Sequence, residues 1–264
     1  MVLNEFERKM KLIDVTKNNV AETGFFCKMS QKKNEGYKRK FNWLTARFDE
    51  GLKIKMLDIK AGQRGFIEYI PANFAWRPVF ADGYMFIHCL WVVGQSKGKG
   101  YAKLLVDECI KDAEKAGING VAMTVSEGNW LAGKEILLKL GFKSVDTAPP
   151  VFDLMVLKFK KCDDPKFPND WNKRAAKFGD GFTVVRTDQC PYLDDASKTI
   201  REYAEKKKIK FKEVELKTAK QVKEESPTPY GVFSIVYNKK LLSYHYLLPK
   251  DIEPAIKTLN IKLF

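Results

Sequence analysis

Along the first 160 residues, segments with the hydrophobic spacing of strands alternate with segments that have the hydrophobic spacing of helices. Short β-rich runs predict strands at residues 11–15, 53–59, 64–70, 84–93, 121–125, 143–146 and 152–159. Apolar residues spaced by three and four predict helices at residues 37–48, 100–116 and 130–140. The run at 84–93 is the longest and has large apolar residues on both faces, which is typical of a central strand covered on both sides. The pattern therefore predicts an α/β fold.

The composition changes between Lys160 and Gly181, where proline, asparagine and glycine become frequent. We expect a linker at 161–181 between a domain at 1–160 and a second domain at 182–264. Trp171 and Phe178 indicate that the linker is packed, because exposed tryptophan is uncommon. A second α/β pattern follows, with strands at 182–186, 210–216, 232–237 and 241–246 and helices at 192–207, 219–225 and 249–259.

A glycine-spaced basic junction joins the longest strand to the helix after it, and residues 95–102 have the sequence QSKGKGYA. Gly98 and Gly100 let the backbone approach a bulky anion. The first N–H groups of the helix have no intrahelical partner, and the helix dipole places partial positive charge at this end. Lys97 and Lys99 add to that charge. The junction therefore predicts a pyrophosphate site.

The net charge of +14 favours anionic ligands. Basic and aromatic residues are interleaved most densely over 28–60, and one interpretation is a nucleic-acid surface. However, Tyr37, Phe41, Leu44 and Phe48 lie on one face of a helix, which favours a core-facing stripe with a solvated basic back. We therefore expect no nucleic-acid partner.

The 264 residues include five cysteines without paired spacing, which suits a reducing compartment better than a disulfide framework. Only two histidines are present, so few residues are available for a zinc site or a Ser-His-Asp triad. The charged N-terminus resembles no signal peptide, and no apolar run approaches the ~18 residues of a membrane span. These features predict a cytoplasmic protein with no metal and no membrane partner.

Residues 95–102 fit the Q/R-x-x-G-x-G/A signature of the GNAT superfamily of N-acetyltransferases, and residues 11–159 resemble that fold throughout. The resemblance implies a mixed, mostly antiparallel central sheet flanked by helices. It also implies bound acetyl-CoA, with the pyrophosphate on the backbone amides of residues 95–101. The cofactor contacts implied are at Leu90, Val92, Val93, Gln95, Lys97, Gly98, Lys99, Gly100, Tyr101 and Asn129.

The sequence departs from the family in its proton-transfer residues. Many members carry a tyrosine four residues before a Gly-Phe pair, where it protonates the leaving thiolate, but here that position is Leu137. If the position of this tyrosine is counted from Asn129 instead, it falls on Ile136. Glu68, Tyr84 and His88, on strands expected to border the cleft, are the candidates for acid–base catalysis. The alternative for each is structural: an edge carboxylate, a packed phenol and a core histidine.

The segment Cys190-Pro191-Tyr192 lies between a predicted strand and a helix, and Pro229 precedes a later strand pair and the last helix. This arrangement resembles the thioredoxin and glutaredoxin fold, and the resemblance implies that the second domain is a smaller thioredoxin-like α/β domain. The resemblance places Cys190 at the helix start, where the dipole stabilises a thiolate, and Pro229 at a cis-proline position. Leu193 stands where the second cysteine would be, so Cys190 is either a reactive thiol or part of a docking domain. The combination of domains resembles the YoaP-type acetyltransferases.

The function expected is CoA-dependent transfer of acetyl from acetyl-CoA to an amine of a small molecule or peptide. The alternative is a thiol redox or thiolate-binding protein that acts through Cys190, with the GNAT domain as a CoA-binding scaffold. The sequence specifies neither the acceptor nor an oligomeric state.

Overall fold

The computed structural model describes residues 10–59, 63–93, 98–127 and 131–261. Contacts between Cα atoms divide the chain into two compact units. The first unit comprises Met1–Ser30, Leu44–Ala75 and Ala81–Lys166. The second unit comprises Gln31–Trp43, Trp76–Phe80 and Phe167–Phe264. Two segments from the first 80 residues thus belong to the second unit, and the linear boundaries at 160 and 181 remain a prediction.

The first unit contains a seven-stranded sheet in the order β1-β2-β3-β4-β5-β7-β6. The pair β4–β5 is parallel and the other pairs are antiparallel, so the sheet is mixed and mostly antiparallel, as expected. The strands are β1 (Met10–Val15), β2 (Lys53–Ile59), β3 (Gln63–Pro71), β4 (Tyr84–Val92), β5 (Gly120–Ser126), β6 (Lys143–Ala148) and β7 (Phe152–Lys158).

The described residues up to 160 form four α-helices: α1 (Val20–Thr23), α2 (Glu35–Phe48), α3 (Tyr101–Lys115) and α4 (Lys134–Lys139). Of these, α2 lies partly in the second unit. The apolar face of α3 packs on one face of the sheet, where Leu105, Val106 and Cys109 are fully buried. Burial of each large side chain contributes about 1.5–3 kcal/mol, so this face fixes α3 on the sheet. In α2, Tyr37 and Leu44 of the predicted stripe are buried.

Hydrogen bonds and ion pairs also hold α3 against β2 and β3. The Tyr69 hydroxyl donates to Asp112 Oδ2 at 2.6 Å, and Lys53 Nζ lies 2.9 Å from the same oxygen. Burial opposes ionisation of Asp112, but the hydrogen bonds from Tyr69 and Lys53 outweigh it and hold the pKa of Asp112 below its usual value. Burial, followed by this hydrogen bond, raises the pKa of Tyr69 far above its usual value. The phenol therefore stays protonated as the donor.

The second unit contains a four-stranded sheet in the order β11-β10-β8-β9, in which β8 and β9 are parallel and β10 is antiparallel to both of its neighbours. Trp171 and Phe178, from the predicted linker, are buried. Its strands are β8 (Phe182–Arg186), β9 (Phe211–Glu215), β10 (Phe233–Tyr237) and β11 (Lys240–Ser243), and its further helices are α5 (Trp171–Ala176), α6 (Leu193–Lys206), α7 (Ala219–Glu225) and α8 (Pro249–Ile261).

Within the four described ranges, no helix is both long enough and apolar enough to span a bilayer.

Candidate active site

The parallel strands β4 and β5 diverge part-way along their length. They pair from Tyr84 opposite Gly120 to Ile87 opposite Met123, and the pairing ends there although β4 continues to Val92 and β5 to Ser126. Strand β4 stays paired with β3 as far as Val92, and β5 stays paired with β7 as far as Ser126. The peptide groups that face the gap therefore have no ladder partner in the opposite strand.

A β-bulge lies where this gap opens. Glu68 of β3 is opposite Cys89, but the next residue, Tyr69, is opposite Ile87, so His88 is the extra residue of β4. A bulge bends a strand and redirects its side chains. The divergence of β4 from β5 thus has a local cause at His88.

His88 contacts Glu68, which is twenty residues earlier in the chain. The His88 Nδ1 atom is 3.2 Å from Glu68 Oε1, and both side chains are almost fully buried. Ile67 and Tyr69 belong to the core under α3, so the alternation of β3 directs Glu68 to the opposite face of the sheet. The structure therefore brings two of the three acid–base candidates together, beside the gap and away from α3.

Tyr84, the third acid–base candidate, is at the start of β4, four residues before the bulge. Its hydroxyl donates to the carbonyl of Asp163 at 2.7 Å and lies 3.1 Å from Cys162 Sγ. Burial, followed by the contact with Cys162, raises the pKa of Tyr84 well above its usual value. The phenol is engaged at the other end of the strand, so we do not retain Tyr84 as an acid–base group.

The turn before α3 is exposed and open. Gly98 and Gly100 have φ angles of +78° and +79°, and a Cβ atom added at either would meet no described atom within 4 Å. Gly100 is the N-cap, and Tyr101, the first residue of α3, has its ring in the core. Lys99 is exposed beside them. The first amides of a long helix and a lysine thus border open space, which fits the phosphates of a nucleotide.

Along the diverging end of β4, Leu90 is buried in the core under α3, and Val92 is packed against that core. Val93 follows the strand and is half-buried. Gln95, Lys97 and Asn129, the other predicted cofactor contacts, lie outside the described residues.

Helix α4 contributes aliphatic side chains. Leu137 is fully buried in the core, and Ile136 is packed against the same core. Neither position of α4 supplies a phenol to the site.

In the second unit, Cys190 lies two residues before the N-cap residue of α6 and is partly buried. The only cis peptide bond in the described ranges precedes Pro150, so the bond before Pro229 is trans. The expectation of a cis proline at Pro229 is therefore wrong.

In β8, Arg186 is buried and donates hydrogen bonds to the Glu213 and Asp188 carboxylates, each at 2.6 Å.

Thr124 of β5 is a residue that the sequence reasoning missed. Val121, Met123 and Val125 face the core under α3, so Thr124 faces the side that carries Glu68. Thr124 is 2% exposed, and its Oγ1 has no hydrogen-bond partner in the described part of the chain. The one signal in the sequence is a hydroxyl side chain within the otherwise apolar run 121–125.

Comparison with known proteins places the chain in a family. Residues 22–142 match the model of the acetyltransferase (GNAT) family. A protein of Bacillus subtilis (strain 168) named "Uncharacterized N-acetyltransferase YoaP" is 34% identical over 254 residues, which are 95% of this chain and 100% of that protein.

Solved structures also align with part of the chain. The paia N-acetyltransferase of Thermoplasma acidophilum, in complex with coenzyme A, is 18% identical over 57% of this chain and 99% of its own, with a TM-score of 0.38. A GNAT family acetyltransferase of Brucella melitensis, in complex with acetyl-CoA, is 17% identical over 60% of this chain and 93% of its own, with a TM-score of 0.36. From the family model and the relative that spans the chain, we conclude that this protein belongs to the GNAT family of acetyltransferases.

Proposed function

We propose that the protein transfers an acetyl group from acetyl-CoA to an amine of a small molecule or peptide. The observation that carries the proposal is the gap between β4 and β5, which opens beside a buried Glu68–His88 pair on the strand that precedes α3. Membership of the GNAT family and the N-acetyltransferase name of the Bacillus relative support the same reaction.

The donor is held, in this proposal, from the turn before α3 to the gap. The backbone amides of 98–101 and the Lys99 ammonium bind the pyrophosphate, because both present positive charge to open space. Leu90, Val92 and Val93 lie along the pantetheine arm. The peptide groups of β4 beyond its last pair with β5 offer this arm the hydrogen bonds that a neighbouring strand would otherwise make. Gln95, Lys97 and Asn129 complete the proposed set.

His88 is the proposed general base, and Glu68 orients it. With Nδ1–H donated to Glu68, the imidazole presents Nε2 as its acceptor, and the carboxylate stabilises the imidazolium that forms. Acetyl-CoA, when bound, supplies a thioester with a good leaving group. The amine nitrogen forms a bond to the carbonyl carbon, its proton passes to His88 Nε2, and the carbon–sulfur bond breaks with its electron pair on sulfur. Because residues 136 and 137 are aliphatic, another group or water provides the proton for the thiolate.

Two measurements test this function. Isothermal titration with acetyl-CoA, with CoA as the comparison ligand, tests the donor site. Release of the CoA thiol, followed with a thiol-reactive chromophore, tests transfer to a panel of primary amines, amino acids, polyamines and short peptides. We expect binding together with amine-dependent thiol release. Absence of binding at millimolar acetyl-CoA would contradict the proposal.

We also propose that the second unit has a thioredoxin-like fold. Its support is the strand order β11-β10-β8-β9 with α6 between the parallel strands β8 and β9, and the position of Cys190 before that helix. A dithiol cycle requires a second thiol within reach, and Leu193 occupies the position where the fold carries it. The trans bond at Pro229 is a further departure. We therefore assign no redox step to Cys190.

A further inference from the structure

The inference concerns the hydroxyl of Thr124, a polar atom that the proposed reaction does not yet use. An unpaired buried hydroxyl destabilises a protein, whereas a valine of the same shape would not. Thr124 is 2% exposed, and its Oγ1 lacks a hydrogen-bond partner within the residues that the structure describes. The presence of a buried hydroxyl that lowers stability is explained if the hydroxyl forms a hydrogen bond to a ligand.

The position of Thr124 shows which ligand it would meet. Met123 forms the last pair of β5 with β4, so Thr124 is the first residue of β5 beyond the point of divergence. Its side chain faces away from α3, on the face where the Glu68–His88 pair lies. His88 is likewise the first residue of β4 beyond the last pair. The two residues therefore stand at the opening of one gap, one on each strand.

The two faces of the gap have different roles. In the proposed binding mode the pyrophosphate lies at the start of α3, which covers one face of the sheet, so an acceptor that attacks the thioester from the opposite face meets Glu68, His88 and Thr124. On that face the Leu154 side chain, opposite Thr124 on β7, is apolar and fully buried. Thr124 thus offers a hydroxyl to an acceptor beside an apolar wall.

We infer that Thr124 is a substrate-contacting residue whose Oγ1 accepts a hydrogen bond from the acceptor amine while His88 receives the other amine proton. The inference rests on the proposed transfer to an amine. The nitrogen becomes positive as its bond to the carbonyl carbon forms, so its N–H bond to Oγ1 strengthens at that moment. An interaction that strengthens in the transition state raises kcat more than it lowers KM.

The test compares the full-length protein with Thr124→Val and Thr124→Ser, using hydroxylamine as the acceptor probe. Acetohydroxamate is measured as its ferric complex, and the rate without enzyme is subtracted. We expect Thr124→Val to lower kcat by about 10- to 100-fold, as for loss of a hydrogen bond to a charged group. The acetyl-CoA dissociation constant should stay the same and the stability should not fall. Thr124→Ser keeps the hydroxyl and should retain most of the activity.

Thr183→Val is the matched control. Thr183 is also a buried strand threonine, but it lies in β8 of the second unit and its hydroxyl donates to the carbonyl of Phe178 at 3.3 Å. This variant should lose stability and keep its rate with hydroxylamine, the reverse of Thr124→Val.

The outcomes separate the two proposals. A Thr124→Val protein that turns over hydroxylamine like the wild type overturns the inference and leaves the transfer reaction intact. A Thr124→Val protein with weakened acetyl-CoA binding also overturns it, because the hydroxyl would then serve the donor. Wild-type protein that binds acetyl-CoA but forms no hydroxamate and releases no thiol with any amine of the panel contradicts the transfer reaction, and the inference with it.

Discussion

The contact between His88 and Glu68 makes a quantitative prediction about catalysis. The Nδ1 and Oε1 atoms are 3.2 Å apart, and the two side chains are 0% and 2% exposed, so solvent does not screen their interaction. His88→Gln removes the proposed base. General base catalysis contributes about 100- to 10,000-fold, or about 2.7–5.4 kcal/mol of transition-state stabilisation. We expect kcat/KM to fall within that range.

Glu68→Gln tests whether the pair acts as one unit. The amide oxygen of the glutamine still accepts from Nδ1, but the charge that stabilises the imidazolium is gone, so kcat/KM should fall as well. Once His88 is absent, the carboxylate has nothing to orient. The double variant should therefore be no slower than His88→Gln alone, because residues that act together have non-additive effects.

Initial rates with hydroxylamine give kcat/KM. Urea unfolding, monitored by tryptophan fluorescence, gives the free energy of unfolding. His88→Gln should also cost about 1–3 kcal/mol of unfolding free energy, because it removes the contact of the imidazole with the buried Glu68 carboxylate. The second substitution should restore part of that loss. Rate losses that multiply in the double variant, or a His88→Gln protein with wild-type kcat/KM, would refute the reasoning.

Three further predictions concern other parts of the chain. Gly100→Ala places a side chain at a φ of +79°, so it should cost about 1 kcal/mol of stability and weaken acetyl-CoA binding in calorimetry. Gly117→Ala, at a φ of +67° beyond the other end of α3, should cost similar stability and leave that affinity unchanged. Tyr69→Phe should cost about 1.5–3 kcal/mol at pH 7, since it removes a hydrogen bond to an ionised carboxylate. Folding lowers the pKa of Asp112, so the stabilising effect of the ionised carboxylate is complete above about pH 4 and is lost as the pH falls through the folded pKa. Urea unfolding between pH 7 and pH 2 should therefore show a smaller acid-dependent loss of unfolding free energy in Tyr69→Phe than in the wild type. Cys190→Ser should leave the acetyl-transfer rate unchanged, and a large loss in the same rate assay would restore a catalytic role for this thiol.

The order of the strands was predictable from local pattern, whereas the short helices α1 and α5 were not predicted. Each of the eleven strands in the described ranges overlaps a predicted run, because alternation and β-branched residues report directly on burial of one or both faces. The helix boundaries were less accurate. Helix α4 begins at Lys134 where the pattern predicted residue 130, and residues 128–130 lie outside the described ranges.

The arrangement of the catalytic candidates was not predictable in the same way. Glu68, Tyr84 and His88 looked equivalent in the sequence, since each is a polar residue in a predicted strand. The register of β3 on β4 separates them: one bulge brings His88 to Glu68, whereas Tyr84 bonds the segment after β7. Register depends on pairing between distant segments, which local periodicity does not encode.

By itself the sequence determined the glycine-spaced junction at 95–102 and the helix that follows it, because a turn with two glycines and a helix start are local features whose chemistry is set by neighbouring residues. Only the tertiary structure decided where β4 and β5 part, which side chains line the gap, and that residues 31–43 and 76–80 belong to the second unit. Those properties arise from contacts between residues far apart in the chain, and their energies depend on the whole packed arrangement.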